Sequence, residues 1–159
     1  MSNKIRTLIL TGTHALAIGA GFVLGIYMLP ILTAPEGPSA EVVRAAAESA
    51  QFEGEFRRDL EDSDALHWGE GTLLVSKESV TLEGRLAPGP DYRLYLSPKF
   101  LETEAEFATL KSQMVEIGAV KTFENFSVSI PDGIDPAQYR AAIVWCEAFG
   151  QFITAAEYQ

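Results

Sequence analysis

Cys146 is the one cysteine in the chain, and it lies in the apolar run Ala142-Ile143-Val144-Trp145-Cys146, beside a tryptophan. Such a thiol can act as a thiolate nucleophile, a redox group, a ligand to haem iron or half of an intermolecular disulfide. A reactive role requires exposure and a pKa below the usual ~8.5. It can equally be a small apolar packing group, because free cysteine is among the most buried residue types. His67, read as opening the strand His67-Trp68-Gly69-Glu70-Gly71, is the second candidate, as a metal or haem ligand or as a hydrogen-bonded corner. Trp145 is the third, as a cofactor contact beside the thiol. With Trp68, Tyr92, Tyr95 and Phe149 it belongs to an aromatic set that lines a pocket or fills a core.

Other chemistries lack their residues. A single thiol and one histidine beyond the N-terminal segment cannot build a Cys/His metal cluster within one chain, so no metal site is expected. There is no Gly-x-Ser-x-Gly elbow, no phosphate loop ending in Lys, and no Cys-x-x-Cys-His. Glu102, Glu104 and Glu106 read as a solvated face, and no nucleophile–base pair for a hydrolase can be named.

The elements that must position these residues read as short strands separated by turns. Phe52-Glu53-Gly54-Glu55-Phe56 alternates with period two, as a half-buried strand does. Residues 68–76 and 80–86 flank Lys77-Glu78-Ser79 and predict a hairpin, with a bulge or tight approach at Gly69 and Gly71. Pro88-Gly89-Pro90 breaks the chain before a strand over 92–96. A short helix or ordered loop follows over 102–112, then strands over 114–120 and 123–130. Residues 139–146 and 149–154 supply one bulged strand or a pair. Seven to nine short strands with closely spaced turns predict an all-β fold, an antiparallel sandwich or barrel-like domain.

The N-terminal part is of another kind. Residues 8–34 carry no Asp, Glu, Lys or Arg, a run longer than the ~20 residues that span a bilayer. It is too long for the apolar region of a signal peptide, and Leu32-Thr33-Ala34 followed by Pro35 is a poor cleavage site. An uncleaved single-pass anchor is expected. The division is then a cytoplasmic 1–7, an anchor 8–34, a linker with a short helix over 35–50 capped by Ser39, and a β domain 51–159. Lys4 and Arg6 precede the span and no basic residue follows it until Arg44, so the N-terminus is expected in the cytoplasm and the β domain outside it, in a Gram-negative cell the periplasm.

Of the 12 basic residues, 10 lie beyond the span against all 22 acidic ones, a formal charge of −12. That balance excludes nucleic acid as a partner, since its phosphates require clustered Lys and Arg.

Taken in order, several segments resemble the DM-thirteen electron-transfer domain family over roughly residues 51–158. They are Phe52–Phe56, His67–Gly71, Gly89-Pro90-Asp91-Tyr92-Arg93-Leu94-Tyr95-Leu96-Ser97, Ile117–Lys121, Ile130-Pro131, and Tyr139 through Trp145-Cys146-Glu147-Ala148-Phe149. The resemblance implies a β-rich, DOMON-like extracytoplasmic domain. It further implies redox chemistry at the cysteine matching Cys146, as a free thiol or through a bound group such as haem. The chain departs from the family pattern at Glu124-Asn125-Phe126-Ser127, where a Gly and a Tyr are usual. Two functions follow as expectations. One is a membrane-tethered redox or electron-transfer accessory centred on Cys146, working with a redox or envelope protein partner. The other is a non-catalytic binding or assembly module whose buried cysteine is structural.

Overall fold

The computed structural model describes residues 2–159. Helix α1 (Asn3–Thr33) is long and apolar enough to cross a membrane, and none of its residues is buried against the rest of the chain. Helix α2 (Ala40–Ser49) begins where the Ser39 hydroxyl accepts the Val42 N–H at 3.4 Å. It is more than a spacer. It lies over strands β2 and β3, defined next, and Val43 is buried there.

Eight strands follow: β1 (Phe52–Phe56), β2 (Gly69–Val75), β3 (Ser79–Leu86), β4 (Tyr92–Ser97), β5 (Val115–Val120), β6 (Glu124–Ser129), β7 (Ala141–Cys146) and β8 (Gln151–Glu157). They form two four-stranded antiparallel sheets, ordered β1-β2-β3-β6 and β5-β4-β7-β8, so the fold is a sandwich. Its edges draw close to each other, β5 against β6 on one side and β1 against β8 on the other. Helix α3 (Glu104–Leu110) crosses the outer face of the second sheet.

The expected β2–β3 hairpin is present. Gly71 (φ +120°) faces Gly84 across it, and a Cβ at Gly71 would stand 2.3 Å from the Glu83 carbonyl oxygen. The bulge itself lies on the other side of β3, where its pairing with β6 slips between Leu82 and Arg85. Asn125 (φ 51°) fills the gap by accepting the Gly84 N–H on its side-chain oxygen at 2.9 Å. The Glu124–Ser127 departure from the family pattern therefore lies in a strand and serves sheet pairing.

Strand β7 explains its own unbroken apolar sequence. Successive side chains of a strand point to opposite faces, and here both faces are covered. Ala142, Val144 and Cys146 enter the core between the sheets with Leu82, Leu94 and Phe126. Ala141, Ile143 and Trp145 enter a second core beneath α3, with Tyr95, Phe107 and Phe152. All six β7 residues are buried.

Candidate functional site

Cys146 is the last residue of β7 and pairs with Tyr92 on β4, so the thiol and the phenol stand side by side on the inner face. The chain then turns through Glu147–Gly150 into β8. Gly150 (φ +64°) closes the turn by donating to the Cys146 carbonyl at 2.9 Å. Two bonds tie this turn to the loop before β4: the Cys146 Sγ–H donates to the Pro90 carbonyl at 3.0 Å, and the Glu147 N–H to the Asp91 carbonyl at 3.1 Å. Arg93 grips the Asp91 carboxylate through Nε at 3.0 Å and Nη2 at 2.9 Å, which holds that loop in turn.

An apolar cleft of about 400 Å³ opens beside these groups. Cys146, Phe149, Gln151 and Ile153 form one side of it and Pro88, Gly89, Pro90 and Tyr92 another. Leu66 and His67 line it from the loop before β2, and Val23, Ile26 and Tyr27 from α1. Gly89 is required there, because a Cβ on it would meet the Tyr92 ring, 2.3 Å from its hydroxyl.

The cleft keeps its thiol protonated at neutral pH. Cys146 is 2% exposed. Burial pushes its pKa up, the Phe149 and Ala148 N–H groups pull it only partly back, and the Asp91 and Glu147 carboxylates add to the rise. Burial likewise pushes the Tyr92 phenol well up, with Cys146 and Tyr27 as its charged-form neighbours.

His67 lies in a bend, not at the head of a strand; β2 begins only at Gly69. The reason is Asp64, whose Oδ1 accepts the N–H groups of Leu66 at 2.6 Å and His67 at 2.8 Å and so diverts the backbone from the ladder. Asp64 Oδ2 also lies 3.0 Å from His67 Nδ1. That hydrogen bond from the imidazole, helped by the Leu66 N–H, holds the Asp64 carboxyl below the usual range. With Nδ1–H given to Asp64, the neutral ring keeps Nε2 as an acceptor. His67 is not among the groups acting on the thiol. The two residues share a cleft, not a hydrogen bond, and they do not form a nucleophile–base pair.

Trp145 lies elsewhere. Its side chain is on the opposite face of β7 from Cys146, stacked on Phe107 with centroids 3.9 Å apart and planes within 6°. Phe107 meets Tyr95 edge-on at 5.3 Å. The Tyr95 hydroxyl donates to Glu147, which also accepts Lys111 Nζ at 2.8 Å. Of the aromatic set, Tyr92 and Phe149 line the cleft, whereas Tyr95 and Trp145 belong to the second core and Trp68 lies under the Arg58 guanidinium, 3.4 Å from its ring centre. Glu106, expected on a solvated face, caps α3: it accepts the Glu102 N–H while Thr103 accepts the Glu106 N–H.

Sequence reasoning did not find the α1 wall of the cleft. The available signal was Tyr27, the one tyrosine of α1, set in its apolar run. For haem, expected as a possible bound group, the cleft offers no Lys or Arg to neutralise two propionates.

The fold and cleft define a β-sandwich carrying an N-terminal apolar helix and a sheltered free thiol. The chain belongs to the Electron transfer DM13 family, which it matches over residues 37–158, a span that includes the docked helix α2. No curated protein and no solved structure matches it.

Proposed function

We propose that this protein is a membrane-tethered redox domain, held outside the cytoplasm by α1, whose working group is the Cys146 thiol. One observation carries the reading: the only thiol and the only imidazole of the sandwich, 79 positions apart, line the same apolar cleft. Membership of an electron-transfer family supports it, and Lys4 and Arg6 support the orientation. In the resting state the thiol is protonated and shielded. When the cleft admits a disulfide R–S–S–R, the Cys146 thiolate attacks one sulfur. The R–S–S–R bond breaks, Cys146–S–S–R forms, and RSH leaves with the proton that Cys146 gave up. His67 is the polar group of the cleft, oriented by Asp64. Exposing the full chain in lipid vesicles to the small neutral 2-hydroxyethyl disulfide should give a mixed disulfide at Cys146, read by intact mass, that a dithiol reverses. A folded chain that takes up no adduct would sink the proposal.

A second reading, a binding or assembly module with a structural cysteine, is favoured by the burial of Cys146 and its Pro90 hydrogen bond. It requires Cys146→Ala to keep every in-cell function of the wild-type chain at equal protein level.

A further inference from the structure

The cleft has features that a merely packed thiol does not need. Leu66 is 57% and Phe149 56% exposed, and apart from the two N-terminal helices they are the exposed large apolar side chains among the described residues. Both lie on the cleft. Single exposed apolar side chains are ordinary, but these two share the rim of one apolar cleft. The cleft also contains an unspent polar group: Tyr92 is 3% exposed, yet its hydroxyl has no hydrogen-bond partner among the described residues. The hydroxyl opens on the cleft with no protein acceptor, so it is free to donate to a ligand there.

The Tyr92 and Tyr27 hydroxyls both line the cleft as neutral O–H donors, whereas the Cys146 S–H is given to the Pro90 carbonyl. The remaining walls are mostly apolar or proline-rich; their polar side chains are His67 and Gln151, and no Lys or Arg is among them. Such a site suits a neutral ligand that presents hydrogen-bond acceptors, and it discriminates against phosphates and carboxylates.

Its place relative to α1 says where that ligand comes from. Counted from the start of the charge-free run at Leu8, twenty residues at 1.5 Å per residue give about 30 Å, the thickness of a bilayer's hydrocarbon core, and end at Tyr27. Val23, Ile26 and Tyr27, in the last turns of that stretch, line the cleft. The cleft therefore sits where the helix leaves the bilayer, and its apolar rim continues the apolar surface of the helix.

We propose that this cleft binds the ring of a lipid-borne quinone, its carbonyl oxygen accepting from the Tyr92 hydroxyl and its isoprenoid tail running past Leu66 and Phe149 along α1 into the bilayer. The choice of a quinone among neutral carbonyl compounds rests on the redox reading above; the acceptor chemistry and the bilayer origin rest on the cleft itself.

The test uses the full chain in phosphatidylcholine vesicles with an azido-substituted 1,4-benzoquinone bearing a decyl tail. A dark control counts any adduct formed by reaction of the thiol with the quinone ring. Light should place the label on residues 66–67, 88–92 or 146–153, and excess azide-free quinone should compete it away. Tyr92→Phe removes an unpartnered hydroxyl without disturbing packing and should weaken the competitor roughly 2- to 10-fold, the worth of one neutral hydrogen bond. Phe149→Ser, at an exposed position, should weaken it as well. Label spread along residues 8–22, label that excess quinone does not displace, or unchanged affinity in Tyr92→Phe would overturn the proposal. So would equal competition by the dimethyl ether of the corresponding quinol, which has no carbonyl. Disulfide exchange at Cys146 measured in the same vesicles separates the two ideas. Exchange without labelling removes the quinone alone, and labelling without exchange removes the redox thiol.

Discussion

Replacing Cys146 by alanine measures how much of this residue is packing. The residue is 2% exposed and sits in the core between the sheets with Leu82, Leu94 and Phe126. Losing a buried group of about methylene size costs about 0.8 kcal/mol. The Pro90 carbonyl loses a weak S–H donor at 3.0 Å, worth about 0.5 kcal/mol at the low end of net hydrogen-bond values. The void term is small, because the space left behind joins the cleft instead of forming a sealed cavity. The neighbouring bond from the Glu147 N–H to the Asp91 carbonyl survives, since it uses only backbone. The expected loss is about 1–2 kcal/mol, which lowers the midpoint of thermal unfolding by roughly 3–10 °C for a domain of this size. Urea unfolding of the full chain in detergent, followed by circular dichroism, gives the free-energy difference. Cys146→Ser, which keeps a donor for Pro90, should lose no more than the alanine variant. A loss above about 4 kcal/mol would refute the reasoning, because it would make the thiol a keystone of the core and not a group at the edge of a cleft.

Phe107→Ala should cost about 3–5 kcal/mol in the same unfolding assay, since it removes the ring that fills the second core between Trp145 and Tyr95. Gly71→Ala should lose more than the ~1 kcal/mol typical of point substitutions, because its φ of +120° and the Glu83 carbonyl at 2.3 Å leave no room for a Cβ; unfolding of that variant at wild-type urea would contradict the close approach of β2 and β3. Stability should fall with alkali. Burial raises the folded pKa of Cys146, Tyr92, Tyr95 and Tyr158, so above the unfolded values of about 8.5 and 10 the unfolded chain releases protons that the native chain retains. The midpoint of urea unfolding measured from pH 8 upward should drop through that window, and a flat profile would contradict the burial of these groups.

The strands were legible because their side-chain periods are local. Phe52–Phe56 alternates and is a strand with those bounds, and the β2–β3 hairpin falls where the apolar runs flank Lys77-Glu78-Ser79. Strand β7 was legible as buried for a different reason, that both of its faces are covered and no polar residue interrupts it. The same period-two rule puts Trp145 and Cys146 on opposite faces, a consequence that a motif-based pairing of neighbours overlooks. His67 required more than pattern, since its bend is made by side-chain bonds from Asp64 that compete with the sheet ladder. The cleft was least legible. It joins segments near residues 25, 67, 89 and 150, and the apolar run of α1 offers only Tyr27 to mark the face that meets the sandwich. Tyr92 was visible as an aromatic, but its idle hydroxyl exists only in three dimensions.

The central claim is that Cys146 is a thiol sheltered in an apolar cleft that small neutral molecules enter without unfolding the domain. Alkylation of the full chain in lipid vesicles, with N-ethylmaleimide compared against a maleimide bearing a sulfonate, tests it most directly when adducts are counted by mass below the unfolding concentration of urea. The account predicts steady modification of Cys146 by the neutral reagent and far slower modification by the charged one. Modification by neither reagent until the sandwich unfolds would contradict it and leave Cys146 a packed core residue.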